Sequence, residues 1–127
     1  MSFLYRWILR RRLSSALSRG ERVSLHTAAR LWALSDIIYL GPVGPSARRL
    51  PELHLFRMFV ESADIDDQQI EQLLADQSAT VAGYAFEILL ARRSKLAATA
   101  VEKLRGRKDP VTMGLGCMVC YLSLIHI

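Results

Sequence analysis

Apolar residues recur at helical spacing along most of this chain, and capping residues, glycines and prolines mark the breaks between runs. Over residues 3–18, Tyr5, Leu9, Leu13, Ala16 and Leu17 form one stripe, closed by Arg19 and a C′ glycine, Gly20. Ser24 is a good N-cap for a helix over 25–40, with Leu25, Ala28, Leu31, Trp32, Ile38 and Tyr39 apolar and Gly41-Pro42 as its stop. After the longest loop, 41–50, Pro51 suits the first position of a helix to Ser62, with Leu55, Met58 and Phe59 inward. Asp64 caps a helix ending near Ala75, and Asp66 and Asp67 sit in its first turn, where the helix dipole favours acids. Ser78 caps a longer helix over 79–93, a shorter one runs from Lys95 to Arg105, and Asp109-Pro110 starts the last. The pattern predicts an all-α fold.

The apolar positions also repeat. A shift of 30 residues pairs Ile70 with Ala100, Leu74 with Leu104, Val81 with Val111, Ala85 with Leu115, Ile88 with Met118 and Leu89 with Val119. The opposite shift sets Ala85, Ile88 and Leu89 on Leu55, Met58 and Phe59. Three helix pairs emerge, about 25–62, 65–93 and 95–121, none able to bury its apolar face alone. Leu73-Leu74-Ala75-Asp76, then Val81, Ala85 and Ile88-Leu89, resemble the second-helix signature of HEAT-like repeats, and Asp109-Pro110-Val111 resembles their inter-helix turn. Ala82 and Thr112 stand where that family often has Arg. The resemblance implies antiparallel helix pairs stacked as a short HEAT-like α-solenoid over 21–121, preceded by an arm over 1–20. An ordinary bundle of α-hairpins is the rival architecture.

Charge changes the picture at the arm. Residues 1–20 hold five arginines and no acid, and the other twelve basic residues are matched by twelve acids. Phe3, Leu4, Trp7 and Ile8 lie opposite the main stripe, next to Arg11 and Ser15. The arm is therefore either a first helix packed on two sides or a basic amphipathic anchor for an anionic membrane surface, using Trp7, Arg6, Arg10, Arg11 and Arg12. Its acid-free, Arg- and Ser-rich composition also fits an organellar transit peptide, a reading opposed by the sequencing-adapter resemblance of the last six residues, since a shotgun origin favours a prokaryote. Within the body, Arg92, Arg93, Lys95, Arg105, Arg107 and Lys108 could be lined by stacking into a binding ridge, or could merely compensate helix dipoles. Acids dominate 50–76, so the body as a whole does not read as a polyanion-binding domain.

Little in the sequence points to catalysis, and no catalytic, cofactor-binding or metal-ligating residue is assigned. Cys117 and Cys120 have the spacing of a redox or zinc half-site but lack a second ligand pair, and on a helix they read as small core residues. Asp64, Asp66 and Asp67 lack the glycine and terminal glutamate of a calcium loop. His54, Arg57 and Glu61 share a helix face, as do His26 and Arg30, without forming a recognised constellation. The terminal Leu122-Ser123-Leu124-Ile125-His126-Ile127 resembles a translated transposon-end sequencing adapter, the alternative being a native apolar end to the last helix. On the adapter reading the native sequence is read only to about Tyr121, the chain is the N-terminal part of a longer bacterial protein, and His126 carries no meaning.

The expected function is a non-enzymatic scaffold or protein-binding module, cytoplasmic or peripheral at the membrane, with another protein as partner. The alternatives are a nucleic-acid-binding HEAT-like protein and a membrane-surface protein acting through the arm. Some bacterial proteins of the resembled shape are DNA-repair glycosylases, so the resemblance leaves room for an enzyme.

Overall fold

The computed structural model describes residues 3–35, 37–39, 51–105, 110–115 and 118–123. Among them are six α-helices: α1 (Phe3–Ser18), α2 (Leu25–Ala33), α3 (Pro51–Glu61), α4 (Asp67–Glu71), α5 (Ala79–Ala91) and α6 (Leu96–Arg105). Three short strands accompany them: β1 (Ile37–Tyr39), β2 (Pro110–Leu115) and β3 (Met118–Ser123). The helical fold class expected from the sequence thus holds for the bulk of the chain.

Local chemistry explains most helix ends. Ser24 Oγ accepts from the Thr27 amide at the start of α2, and Ser78 Oγ accepts from the Val81 amide at the start of α5. The α4 cap is Asp66, not Asp64: its side chain accepts from the Gln69 amide while the Gln69 side chain accepts from the Asp66 amide. That reciprocal pair needs Gln three residues after the cap, which Asp66 has and Asp64 lacks. A 3-10 turn, Gln72–Ala75, completes this segment.

Two helices close with a left-handed residue. Gly20 (φ 74°) follows α1, with the Gly20 amide donating to Leu17 O and the Glu21 amide to Ala16 O. The same paired bonds recur after α5, from Arg93 to Leu90 O and from Ser94 to Leu89 O, but here the left-handed residue is Arg93 (φ 56°). A side chain is strained in that conformation, so the turn must be held from outside.

Arg92 does the holding. Its guanidinium donates to Phe59 O (2.9 and 2.6 Å), Ser62 O (2.7 Å), Ile65 O (2.8 Å) and Asp67 Oδ1 (2.9 Å), and its side chain is only 12% exposed. One planar fork of donors thereby gathers the end of α3, the following loop and the first turn of α4 onto the end of α5. Hydrogen bonds from Ser94 and then Arg92 hold the Asp67 carboxyl below its usual range. Asp67 therefore stabilises the fold above the ordinary carboxylate range, and that contribution is lost as pH falls through its lowered pKa. Arg92→Met is expected to cost about 2–3 kcal/mol, because it removes charge-assisted bonds and leaves carbonyls without donors. Urea unfolding would read this as a lower midpoint; an unchanged midpoint would contradict the clamp.

The core is organised around α5. Thr80 through Phe86, Ile88 and Leu89 are all buried, so this helix is enclosed on nearly every side. It packs against α2, α3, α4, α6, β1 and β2. Trp32 of α2 stacks on Tyr84 with ring centroids 4.6 Å apart and planes at 15°, and meets Phe59 of α3 edge-on at 6.0 Å. Leu31, Leu53, Leu55, Ile70, Leu74, Ala100 and Leu104 complete the same cluster.

Glu87 is the exception on α5. Burial pushes its carboxyl above the usual value. Because the folded pKa is raised, stability from this site is full below the unfolded value and declines as pH rises through the folded one. Glu87→Gln should thus raise the urea midpoint at neutral pH and leave it nearly unchanged in acid. An equal change at both pH values would sink this assignment.

Two expectations need correction. The helix expected over 25–40 ends at Ala33, and Ile37–Tyr39 is a strand pairing in parallel with Thr112–Gly114 of β2. Ile37 and Ile38 are β-branched, and a three-residue apolar run fits a buried strand as readily as a helix. Ile38 is 1% exposed. The helix expected after Asp109-Pro110 is an antiparallel pair, with Val111 opposite Leu122, Met113 opposite Cys120 and Leu115 opposite Met118. Val111, Thr112, Val119 and Tyr121 favour a pleated surface, and Gly114 disfavours a helix interior. Pro110 is tolerated because it begins its strand. The segment 95–121 is therefore one helix followed by a strand pair, not a helix pair. Cys120 stands in β3 and not on a helix face, while Cys117 and residues 124–127 lie outside the described residues.

Candidate docking surface on the first helix

The helix α1 carries two apolar faces with different fates. Leu13 and Leu17 are buried and Leu9 is partly buried against the core cluster, where α1 meets α2 and α3. Tyr5 ties the same side to α2: Arg30 donates a hydrogen bond to its hydroxyl and lies over its ring at 5.8 Å. The opposite face is open. Leu4 is 61% exposed, Trp7 49% and Ile8 37%.

The five arginines of this segment divide in the same way. Arg6 and Arg10 turn to the body, toward Glu52 of α3, with Arg6 Nη2 3.9 Å from Oε2 and Arg10 Nε 3.4 Å from Oε1. The Glu52 side chain is fully buried, and neither oxygen accepts a hydrogen bond of good geometry. The attraction is thus one of charge across a loose contact, and it can balance desolvation only while both guanidiniums stay beside the carboxylate. Arg11 lies over the Trp7 ring at 5.2 Å, a cation–π contact on the open face. Arg19 pairs with Glu21 at 2.7 Å, both exposed, an arrangement of small energetic weight. Arg12 is exposed with no ion-pair partner among the described residues.

Trp7, Ile8, Arg11, Arg12, Ser15 and Arg19 consequently line one shallow, open depression along α1. Of the residues expected to act in the arm, Trp7, Arg11 and Arg12 are available there, while Arg6 and Arg10 are committed inward. Sequence spacing separates the two apolar faces but cannot show which arginines are taken by Glu52, which lies more than forty positions away.

The ridge expected from Arg92, Arg93, Lys95, Arg105, Arg107 and Lys108 is not one set of solvent cations. Arg92 is the interior clamp. Arg105 pairs with Glu102 at 3.3 Å, and the neighbouring Lys103 pairs with Glu71 at 2.6 Å. Arg93 and Lys95 are exposed, and Arg107 and Lys108 lie outside the described residues. A different groove, lined by Arg22, Val23, Met58, Ser62, Asp64 and Ile65, is bridged by an Arg22–Asp64 ion pair. His54, Arg57 and Glu61 do line one depression on α3. No group of three or more histidine, cysteine, aspartate or glutamate side chains among the described residues is placed to hold a metal ion. Among the described residues, no helix is long and apolar enough to cross a membrane.

No protein-family model, no curated protein and no solved structure matches the chain.

Proposed function

We propose that the chain is a non-enzymatic helical scaffold, a binding module that presents the outward face of α1 to a partner of opposite charge. The observation that carries this reading is the exposure of Leu4, Trp7 and Ile8 beside Arg11 and Arg12, on a helix whose other face is built into the core. Contiguous exposed apolar side chains rimmed by one sign of charge mark interaction surfaces. A HEAT-like arrangement belongs to the same proposal: α2 with α3 forms one helix pair, α4 with α5 the next, and α6 follows. The packing of α5 on both α2 and α3 supports it, since stacked pairs bury their faces against their neighbours.

The test is salt-dependent retention of the full chain on immobilised polyglutamate, an acidic probe without lipid or nucleic acid. Arg11→Glu with Arg12→Glu should weaken retention about tenfold. Retention that ignores both substitutions would remove the α1 face from the account.

A further inference from the structure

We propose that the partner of the outward α1 face is an anionic lipid bilayer, on which α1 lies in the interfacial plane as a peripheral anchor. This rests on the reading of that face as a docking surface and assigns its occupant. The division of residues along the helix supports the assignment. Leu4, Trp7 and Ile8 supply aliphatic and aromatic surface at one end, and Arg11 and Arg12 supply positive charge beyond them, while Arg19 is paired with Glu21. Residues 1–20 contain no acid to oppose a negative surface. A helix lying at the headgroup boundary needs this combination: apolar side chains that enter the acyl edge and cations that stay among phosphates. Trp7 suits the boundary itself, since its ring is apolar and its indole N–H is polar.

The shape of the face argues the same way. The depression along α1 is shallow and open, so it offers no deep groove for a peptide helix or strand. A bilayer needs only an accessible face. A second copy of the chain is a poor occupant, because residues 1–20 of that copy hold no acid to pair with Arg11 and Arg12. A nucleic acid could stack a base on Trp7, but it would gain little from Leu4 and Ile8. The inward commitment of Arg6 and Arg10 completes the picture. It fixes the rotation of α1 on the body, so that the apolar end and the remaining cations face outward together.

The experiment is co-sedimentation of the full chain with phosphatidylcholine vesicles and with vesicles also containing phosphatidylglycerol. It is read beside Trp7 emission, with buried Trp32 as a constant background. The expected result is binding only to the anionic vesicles, weakened by salt, with a blue shift in emission. Each arginine near the surface is worth about fivefold in partitioning, so Arg11→Gln with Arg12→Gln should weaken binding about thirtyfold. Trp7→Ala should weaken it about tenfold and abolish the shift, with helix content by circular dichroism unchanged. No binding to anionic vesicles together with retention on polyglutamate overturns the lipid assignment and leaves the docking surface. Binding to neither overturns both. Vesicle binding that persists undiminished in Trp7→Ala, or that is equal without anionic lipid, also overturns the lipid assignment.

Discussion

Replacing Arg6 and Arg10 together by alanine is expected to destabilise the protein by about 3 kcal/mol, while Glu52→Leu changes stability by less than about 1 kcal/mol. The asymmetry follows from burial. Glu52 is completely enclosed, whereas Arg6 and Arg10 are 31% and 33% exposed. Without the arginines, a carboxylate is left in the interior with no opposite charge. Without the carboxylate, the partly exposed ends of the two guanidiniums keep their water while Arg6 Nε and Arg10 Nε stay buried as before, and leucine fills the space with apolar contacts. Either single arginine variant should fall between these limits, since one cation remains. Thermal unfolding reads the double variant as a drop of roughly 10 °C in Tm. Equal losses in the arginine pair and in Glu52→Leu would mean that the ion pairs themselves, not the enclosed acid, set the energetics of the α1 attachment.

Trp32→Ala is expected to cost about 3–5 kcal/mol, the largest effect of any single substitution considered. Trp32 is fully buried, and its loss would open a cavity between α2, α3 and α5, where Tyr84 and Phe59 lean on its ring. Collapse of that cavity is resisted because α5 is enclosed on so many sides. The indole also donates from Nε1 to Glu52 O at 3.3 Å, so the tryptophan joins the core to the residue that anchors α1. Trp32→Phe keeps most of the packing but loses the indole hydrogen bond to a carbonyl that keeps its helix donor, and about 1 kcal/mol should be lost. Urea titrations would show the alanine variant with a much lower midpoint and an unchanged slope. A small effect for alanine would contradict the central place given to this ring.

Helix positions were legible in the sequence wherever capping residues and apolar spacing agreed. Ser24, Ser78, Pro51 and Gly20 each mark an end that the structure has within a residue or two. The reading failed where short apolar runs carry β-branched residues. At Ile37-Ile38 and over 110–121 periodicity alone does not separate strand from helix, and pairing with a distant segment decides. The site was half legible. Opposite apolar faces on α1 follow from spacing, and so does the cluster of Trp7 with Arg11. The inward turn of Arg6 and Arg10 depends on Glu52, a residue that local pattern assigns only to the first turn of α3. Arg92 shows the same blindness: its position at a helix end predicts dipole compensation, yet its partners are carbonyls and an acid 25–33 positions earlier.

Acrylamide quenching of tryptophan emission, in the free chain and with an anionic partner surface added, tests the docking account most directly. The exposed Trp7 should quench readily and the enclosed Trp32 hardly at all, giving two well-separated components in the free protein. Addition of anionic vesicles or of polyglutamate, whichever binds, should then protect the accessible component alone. Trp7→Phe should remove that component. Protection of neither tryptophan on binding, or an accessible component that survives in Trp7→Phe, would show that the outward face of α1 is not where this protein meets its partner.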